Sequence, residues 1–132
     1  MDKVYKINGH NVQFYCNEEN RIVAATIKNC THDAISDVRK SFGLDIDDWT
    51  TAARIAKKIW LPDKMKCVAH CHSDDEYNIE KGKTIAYKKL RKKYWKKYSR
   101  RMFNMGNIFV AASTFAINDA QKALERSENI TW

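Results

Sequence analysis

Thiol and imidazole side chains lie close together at two places in the chain. Cys67, His70, Cys71 and His72 fall within six residues, and Cys30-Thr31-His32 again brings a cysteine near a histidine. Zinc takes such ligands in structural sites. The metal-binding interpretation is therefore a structural zinc site, with the candidate ligands Cys30, His32, His70, Cys71 and His72. The competing interpretation is that the cysteines are core thiols and the histidines are exposed.

Carboxylates follow the group at residues 67–72. Asp74, Asp75 and Glu76 are separated from His72 by Ser73 alone, and clustered carboxylates can hold Mg²⁺ and activate water for phosphodiester cleavage. The simpler interpretation is a helix start, because acids in the first turn complement the helix macrodipole and Ser73 with Glu76 forms a capping-box pattern. The sequence shows no phosphate-cradling glycine loop and no evident nucleophile and base. We therefore expect no enzyme, with a metal-dependent nuclease as an alternative.

The positive charge is concentrated in residues 81–101, KGKTIAYKKLRKKYWKKYSRR. This basic segment holds eleven of the 24 basic residues and no acidic residue, so the rest of the chain is net −3 although the whole is +8. Such a concentration indicates an anionic partner. The candidate residues for binding that partner or a nucleic acid are Lys88, Lys89, Arg91, Lys92, Lys93, Trp95, Lys96, Lys97, Arg100 and Arg101.

The basic segment has the period of an amphipathic helix. An apolar row recurs every four residues, at Ala86, Leu90, Tyr94, Tyr98 and Met102, and should face the body of the protein. Trp95 lies at the border of this row, where its ring could stack on a base or hold the helix against the core. A lysine-rich face suits point-charge attraction to phosphates rather than bidentate reading of bases. An acidic protein surface, or solvent alone, would satisfy the same face.

Length and composition fit one domain, residues 1–132, with 44% hydrophobic residues. No charged-then-apolar leader opens the sequence, and the longest mostly apolar run, residues 108–117, is too short to cross a bilayer. We therefore expect no membrane association and a location in the cytoplasm of a host cell. The oligomeric state is left open.

The first third of the chain predicts antiparallel strands. Residues 4–7 and 11–16 flank Asn8-Gly9, a dipeptide that favours a tight hairpin turn. The β-branched residues within 21–28 suit a third strand. This pattern indicates a small antiparallel meander.

The middle of the chain alternates between helix and turn signals. Thr31 or Asp33 can cap a helix that runs to about Phe42, and residues 45–53 predict a second short helical piece. Residues 54–60 fit either helix or strand. Residues 61–64 predict a turn and residues 65–72 an extended segment, which together favour a second hairpin.

The last part of the chain predicts two helices. The long basic helix should begin near Ser73 and end near Met105, and Asn107 opens a final helix. Strands first and helices later indicate an α+β fold, in which a small antiparallel sheet (the meander plus a hairpin) packs against several helices, including the long basic one.

Residues 60–89 resemble a family of small phage and prophage proteins of low-GC Gram-positive bacteria. The shared pattern is a Trp, an Asp-containing turn, an extended segment ending in Cys, then Asp-x-Tyr-Asn-x-Glu-Lys-Gly and an Ala-rich helix ending in Lys-Lys. The matching residues are Trp60, Asp63, Lys64, Cys71, Asp75, Tyr77, Asn78, Glu80, Lys81, Gly82, Ala86, Lys88 and Lys89. The resemblance implies a mobile-element origin and a hairpin-then-helix motif, and it implies no reaction.

Three functions follow as hypotheses from the charge and the resemblance together. The first is a non-enzymatic, anti-CRISPR-like inhibitor that binds a host defence effector nuclease, or its guide or target nucleic acid, through the basic helix. The second is a nucleic-acid-binding accessory protein of phage replication or transcription. The third is the metal-dependent nuclease.

Overall fold

The protein opens with a very short hairpin. The computed structural model describes residues 5–42, 59–72 and 75–130. Strands β1 (Lys6–Ile7) and β2 (His10–Asn11) pair antiparallel across Asn8-Gly9, whose φ angles are 47° and 82°. Positive φ at both central positions is the geometry of a type I′ turn, which Asn-Gly accepts readily. The predicted turn is confirmed.

A separate three-stranded antiparallel sheet forms the centre of the fold. Its order is β3 (Gln13–Asn17), β4 (Ile22–Ile27) and β5 (Met65–His70). The predicted strand over residues 11–16 is thus divided, because after Val12 the chain leaves β1 and pairs with β4 instead. The predicted strand over residues 21–28 is confirmed as β4.

The partner of β5 differs from the prediction. β5 pairs with β4, with Met65 opposite Ile27 and His70 opposite Ile22. Most of the predicted first arm, residues 54–60, lies outside the described residues, but Ile59 is helical and Trp60 is in no strand. β4 is buried at four of its six positions, so it offers β5 an apolar neighbour. The predicted first arm, residues 54–60, is the more polar of the two candidates.

Two helices accompany the sheet among the described residues. Helix α1 (Asp33–Phe42) has the predicted bounds, whereas the predicted helix at 45–53 lies outside the described residues. Helix α2 (Ile79–Glu128) has Asn78 as its N-cap, and the Asn78 side chain accepts a hydrogen bond from the Lys81 N–H. The predicted start near Ser73 is therefore wrong, because residues 75–78 are not helical and Asn78 caps the helix instead; Ser73 itself lies outside the described residues.

The predicted break between two C-terminal helices is wrong. Helix α2 runs without interruption for 50 residues, through Gly106 and Asn107. One interior glycine costs only about 1 kcal/mol, and no proline follows to end the helix. No helix in the described part of the chain is both long and apolar enough to traverse a bilayer.

The core lies between the sheet and the first half of α2. Ala86, Leu90 and Tyr94 are fully buried against β4 and β5. The helix lies close to the sheet at Gly82, where an added Cβ would lie 2.5 Å from the Val23 side chain. The α+β architecture predicted from the sequence is confirmed, with one face of a small sheet covered by a long helix.

Candidate anion-binding face of the long helix

Tyrosine hydroxyls fix the orientation of the basic segment. The Tyr94 hydroxyl donates to Asp33 Oδ2 (2.6 Å) and accepts from Asn8 Nδ2 (2.7 Å). The Tyr98 hydroxyl donates to Asp37 Oδ2 (2.5 Å), and the Tyr87 hydroxyl donates to the Lys6 carbonyl (2.9 Å). The helix is therefore tied to β1, the hairpin turn and α1, and it cannot rotate about its axis without breaking these bonds.

The same contacts keep the phenols protonated. Burial first, and then the hydrogen bond to Asp37, raise the pKa of Tyr98 to about 12. Burial and the Asp33 carboxylate raise the pKa of Tyr94 further. Both tyrosines act as neutral anchors of the body-facing row, which confirms the predicted apolar row and leaves the opposite side of the helix free for charge.

The basic side chains divide into separate rows on the helix. Six of the predicted residues line one open groove on its surface: Lys89, Lys92, Lys93, Lys96, Lys97 and Arg100. We call this set the lysine groove. Because residues three and four apart share a helix face, its members form two adjacent rows rather than a belt around the helix.

Two lysines of the groove also protect the sheet. The Lys89 ammonium donates to the Val68 carbonyl (3.4 Å), and the Lys93 ammonium donates to the Lys66 carbonyl (3.2 Å). Both carbonyls belong to β5, which pairs only with β4 among the described residues and is therefore an edge strand there. Lysines along an edge strand discourage pairing with another chain. These two side chains are therefore partly committed to the fold.

The remaining predicted residues lie elsewhere on the helix. Lys88, Arg91 and Trp95 follow the spacing i, i+3, i+7 and share the face next to the groove, where Lys88 lies four residues before Lys92. The Trp95 ring packs edge-on against Tyr94 and Tyr98, with centroids 5.0 and 5.4 Å away. Arg101 is half-buried, three residues beyond the body-facing Tyr98. Trp95 is thus a partly exposed packing residue and does not line the groove.

The lysine groove has no acidic counterpart in the described residues. The ion pairs found there are His10 with Asp33 and Lys83 with Glu80, and neither involves a groove residue. Like charges at i,i+4 spacing repel by about 0.2 to 0.5 kcal/mol per pair. This repulsion is relieved by salt or by a bound anion, so the groove favours an anionic ligand.

The five predicted zinc ligands do not come together. Cys30 and His32 follow the end of β4 that pairs with Met65, whereas His70, Cys71 and His72 lie at the other end of β5. The two groups are separated by the length of β5, about 17 Å. His32 is exposed and packs edge-on against Trp60, with the ring centroids 5.8 Å apart.

Sequence reasoning missed a different cluster. In the described part of the chain, His10, Cys30 and Asp33 are the three potential metal ligands whose donor atoms lie within 4.8 Å of one another. His10 Nε2 lies 2.7 Å from Asp33 Oδ2, and Cys30 is fully buried. Burial and the nearby acids raise the pKa of Cys30 to about 11, which opposes the thiolate that zinc requires. We interpret the cluster as a hydrogen-bonded contact between β2 and α1. Zinc binding stays a prediction.

Arg21 organises the turn that precedes α2. Its guanidinium donates to the carbonyls of His72 and Asp75 and to the Cys71 sulfur. The Asp75 and Glu76 residues are exposed, and Asp74 lies outside the described residues. The turn is thus held by its backbone carbonyls, and the carboxylates and histidines proposed for a nuclease do not converge within the described segments.

No protein-family model, no curated protein and no solved structure matches this chain.

Proposed function

We propose that this protein is a non-enzymatic binder of nucleic-acid backbone, and that the lysine groove of α2 is its phosphate-binding surface. The observation that carries the proposal is a set of four cations on one side of the helix that pair with no acid among the described residues: Lys92, Lys96, Lys97 and Arg100. Lys92, Lys96 and Arg100 are exposed and Lys97 is half-buried.

The geometry supports contact with phosphates more than reading of bases. Ammonium groups interact with phosphate as point charges, whereas base recognition relies on bidentate arginine, asparagine or glutamine side chains. Stacking on Trp95 would occur beside the groove, and that ring already packs edge-on against two tyrosines. Binding should therefore depend on charge and salt and tolerate different sequences.

A second candidate is the anti-CRISPR-like inhibitor of a host nuclease complex. It is supported by the resemblance of residues 60–89 to phage proteins and by the position of the groove on a single rigid helix. An effector nuclease carries guide and target nucleic acid, and it can also present acidic protein surfaces. The same groove could therefore act on the complex, in the host cytoplasm, without any chemistry of its own.

The direct test is fluorescence anisotropy with labelled duplex DNA, single-stranded DNA and RNA. We expect binding at low salt, with an affinity that falls by about two orders of magnitude between 50 and 200 mM salt if each of these four cations contacts one phosphate. Affinities that hardly change between unrelated sequences would agree with backbone recognition.

Matched charge reversals locate the surface. Lys92→Glu with Lys96→Glu changes the groove, and Lys28→Glu with Lys64→Glu makes the same change in net charge outside α2; all four residues are exposed. We expect the groove pair to lose at least tenfold more affinity than the control pair, and to show a shallower salt dependence. Equal losses would contradict a localised groove.

Failure to bind any nucleic acid at low salt would overturn the leading proposal. In that case the inhibitor hypothesis with an acidic protein partner would gain, and co-purification with nuclease complexes would be the next measurement. Turnover of a nucleic acid that requires Mg²⁺ and is lost in Asp75→Ala would contradict both binding proposals and restore the nuclease alternative.

A further inference from the structure

More than a third of α2 projects away from the rest of the protein. Met105 is the last buried residue, and Ile108 is the last residue of the helix that is even half-buried. The following 20 residues of the helix, to Glu128, span about 30 Å. Large apolar side chains of this projecting arm are exposed to water in the single chain, so burying them against a partner would stabilise the arm.

Large apolar side chains recur with a period of seven from Phe103 to the end of the arm. Phe103, Val110, Ile117 and Leu124 are 72, 66, 57 and 61% exposed. A spacing of seven residues keeps these side chains on one stripe of the helix, where one of the two core positions of a coiled coil lies. We call this set the large row; each of its members is more than half exposed in the single chain.

Small residues accompany the large row three positions later. They are Gly106, Ser113, Ala120 and Ser127. In heptad terms the large row occupies the a positions and the small residues the d positions. In a parallel pair of these helices, a positions would meet a positions and d positions would meet d positions. Large residues would then crowd one layer and small residues would leave the next layer underfilled.

We propose that two copies of this chain pair through their arms as an antiparallel coiled coil. In antiparallel helices a positions meet d positions, so a two-fold axis near residue 115 matches large with small in every layer. It pairs Gly106 with Leu124, Val110 with Ala120 and Ser113 with Ile117 of the second copy, and Phe103 with Ser127 at the ends.

The flanking positions are complementary in the same register. On one side Arg100 faces Glu128 of the second copy, and by symmetry Glu128 faces Arg100. On the other side Phe109 meets Ala123, and Ala116 meets its own copy. Opposite charges at the flanks of a coiled coil set partner choice and orientation.

Charge also excludes the parallel arrangement. Residues 102–118 carry no charged side chain, whereas residues 81–101 carry eleven positive charges and no acid. Parallel pairing would place the two basic segments side by side, closer than the screening length of about 8 Å at physiological salt. Antiparallel pairing puts them at opposite ends of the rod, with the two Tyr94 residues about 60 Å apart.

Size and shape in solution test the proposal. Light scattering coupled to size exclusion should give about twice the 15.4 kDa of one chain. Small-angle X-ray scattering should show a pair-distance distribution with a second maximum near about 60 Å, from the two bodies at the ends of the rod. A monomer at the highest attainable concentration, or a dimer without that maximum, would overturn the antiparallel pairing.

Matched variants distinguish specific pairing through the large row from non-specific hydrophobic association. Ile117→Glu places charge in two layers of the interface, and we expect it to raise the dimer dissociation constant by at least about a hundredfold. Phe115→Glu removes an even more exposed apolar residue (73% against 57%) at a position that points away from the partner helix, and it should remain a dimer. Both residues are exposed in the single chain, so the fold survives, as circular dichroism will show. The reverse order of effects would refute the proposed register.

Discussion

The Tyr94 hydroxyl joins three distant parts of the chain at one point. It connects helix α2 to the Asp33 carboxylate in α1 and to the Asn8 amide in the hairpin turn. The ring itself is fully buried, and Leu90 lies one turn before it in the same row. Tyrosine at this position therefore supplies core volume and a directional bond together, which a phenylalanine would not.

Removing that hydroxyl should destabilise the protein. In Tyr94→Phe, the Asp33 carboxylate and the Asn8 amide lose a partner in a half-buried setting, so we expect the free energy of unfolding to fall by about 1 to 3 kcal/mol. Urea unfolding followed by circular dichroism measures the change. Tyr15→Phe, at a residue 61% exposed, is the control and should be nearly neutral. Equal effects of the two substitutions would show that the bonds of Tyr94 add no stability.

Alkaline pH should weaken the same region. The pKa of Tyr98 is raised to about 12 and that of Cys30 to about 11, so the folded protein holds these protons more tightly than the unfolded chain. For Tyr98 the stabilisation is complete below the ordinary tyrosine pKa of about 10 and is lost as the pH rises toward about 12.

Unfolding free energies at pH 8, 10 and 11 measure this loss. They should decrease from about pH 9 upward, first through Cys30 and then through Tyr98. Tyr98→Phe should show a smaller decrease than the wild type above pH 10, although it is less stable at pH 8 because the bond to Asp37 is gone. An unchanged slope in Tyr98→Phe would exclude this phenol as a source of the pH dependence.

At the scale of elements, one glycine sets the distance between α2 and the sheet. Gly82 lies against the buried Val23 of β4, whereas Gly106, in the same helix, faces open space. The two positions have the same residue and the same secondary structure, but they differ in the space available for a side chain. Only the position over the sheet requires the absence of a side chain.

Alanine substitutions at the two glycines should therefore have opposite signs. Gly82→Ala must displace the Val23 side chain, and we expect a loss of about 1 to 3 kcal/mol. Gly106→Ala meets no atom within 4 Å and gains helix propensity, so we expect a gain of about 0.5 to 1 kcal/mol. Thermal melts of both variants decide the question, and stabilisation by Gly82→Ala would mean that α2 sits farther from β4 than described.

At the scale of the whole molecule, the two proposals combine into a bivalent binder. The antiparallel arms would carry two lysine grooves about 60 Å apart, a distance covered by about 18 base pairs of duplex. Two linked sites on one ligand bind more tightly than either alone, provided that the ligand reaches both.

Duplex length should therefore control affinity. A 30-base-pair duplex should bind the wild type at least tenfold more tightly per site than a 10-base-pair duplex, whereas Ile117→Glu should show little difference between the two beyond the number of available sites. Anisotropy at constant salt measures both. The same length gain in Ile117→Glu would show that bivalency does not come from the paired arms, while leaving the lysine groove itself intact.

Local patterns in the sequence determined the features that depend on neighbouring residues. Asn8-Gly9 specified its turn through the φ angles that these residues accept, the β-branched run specified β4, and the four-residue period specified which side of α2 faces the core. The charge of the basic segment is also a property of the sequence, and so is the seven-residue period of the arm, because helix geometry converts spacing into a face.

Only the tertiary structure decided features that depend on distant partners. Three such features involve residues more than 20 positions apart in the sequence: β5 pairs with β4, Cys30 lies far from Cys71, and His10 contacts Asp33. The basic residues divide into a groove and a neighbouring face because the tyrosine bonds to β1, the turn and α1 fix the rotation of the helix. No local spacing encodes those bonds, since their partners come from other elements of the fold.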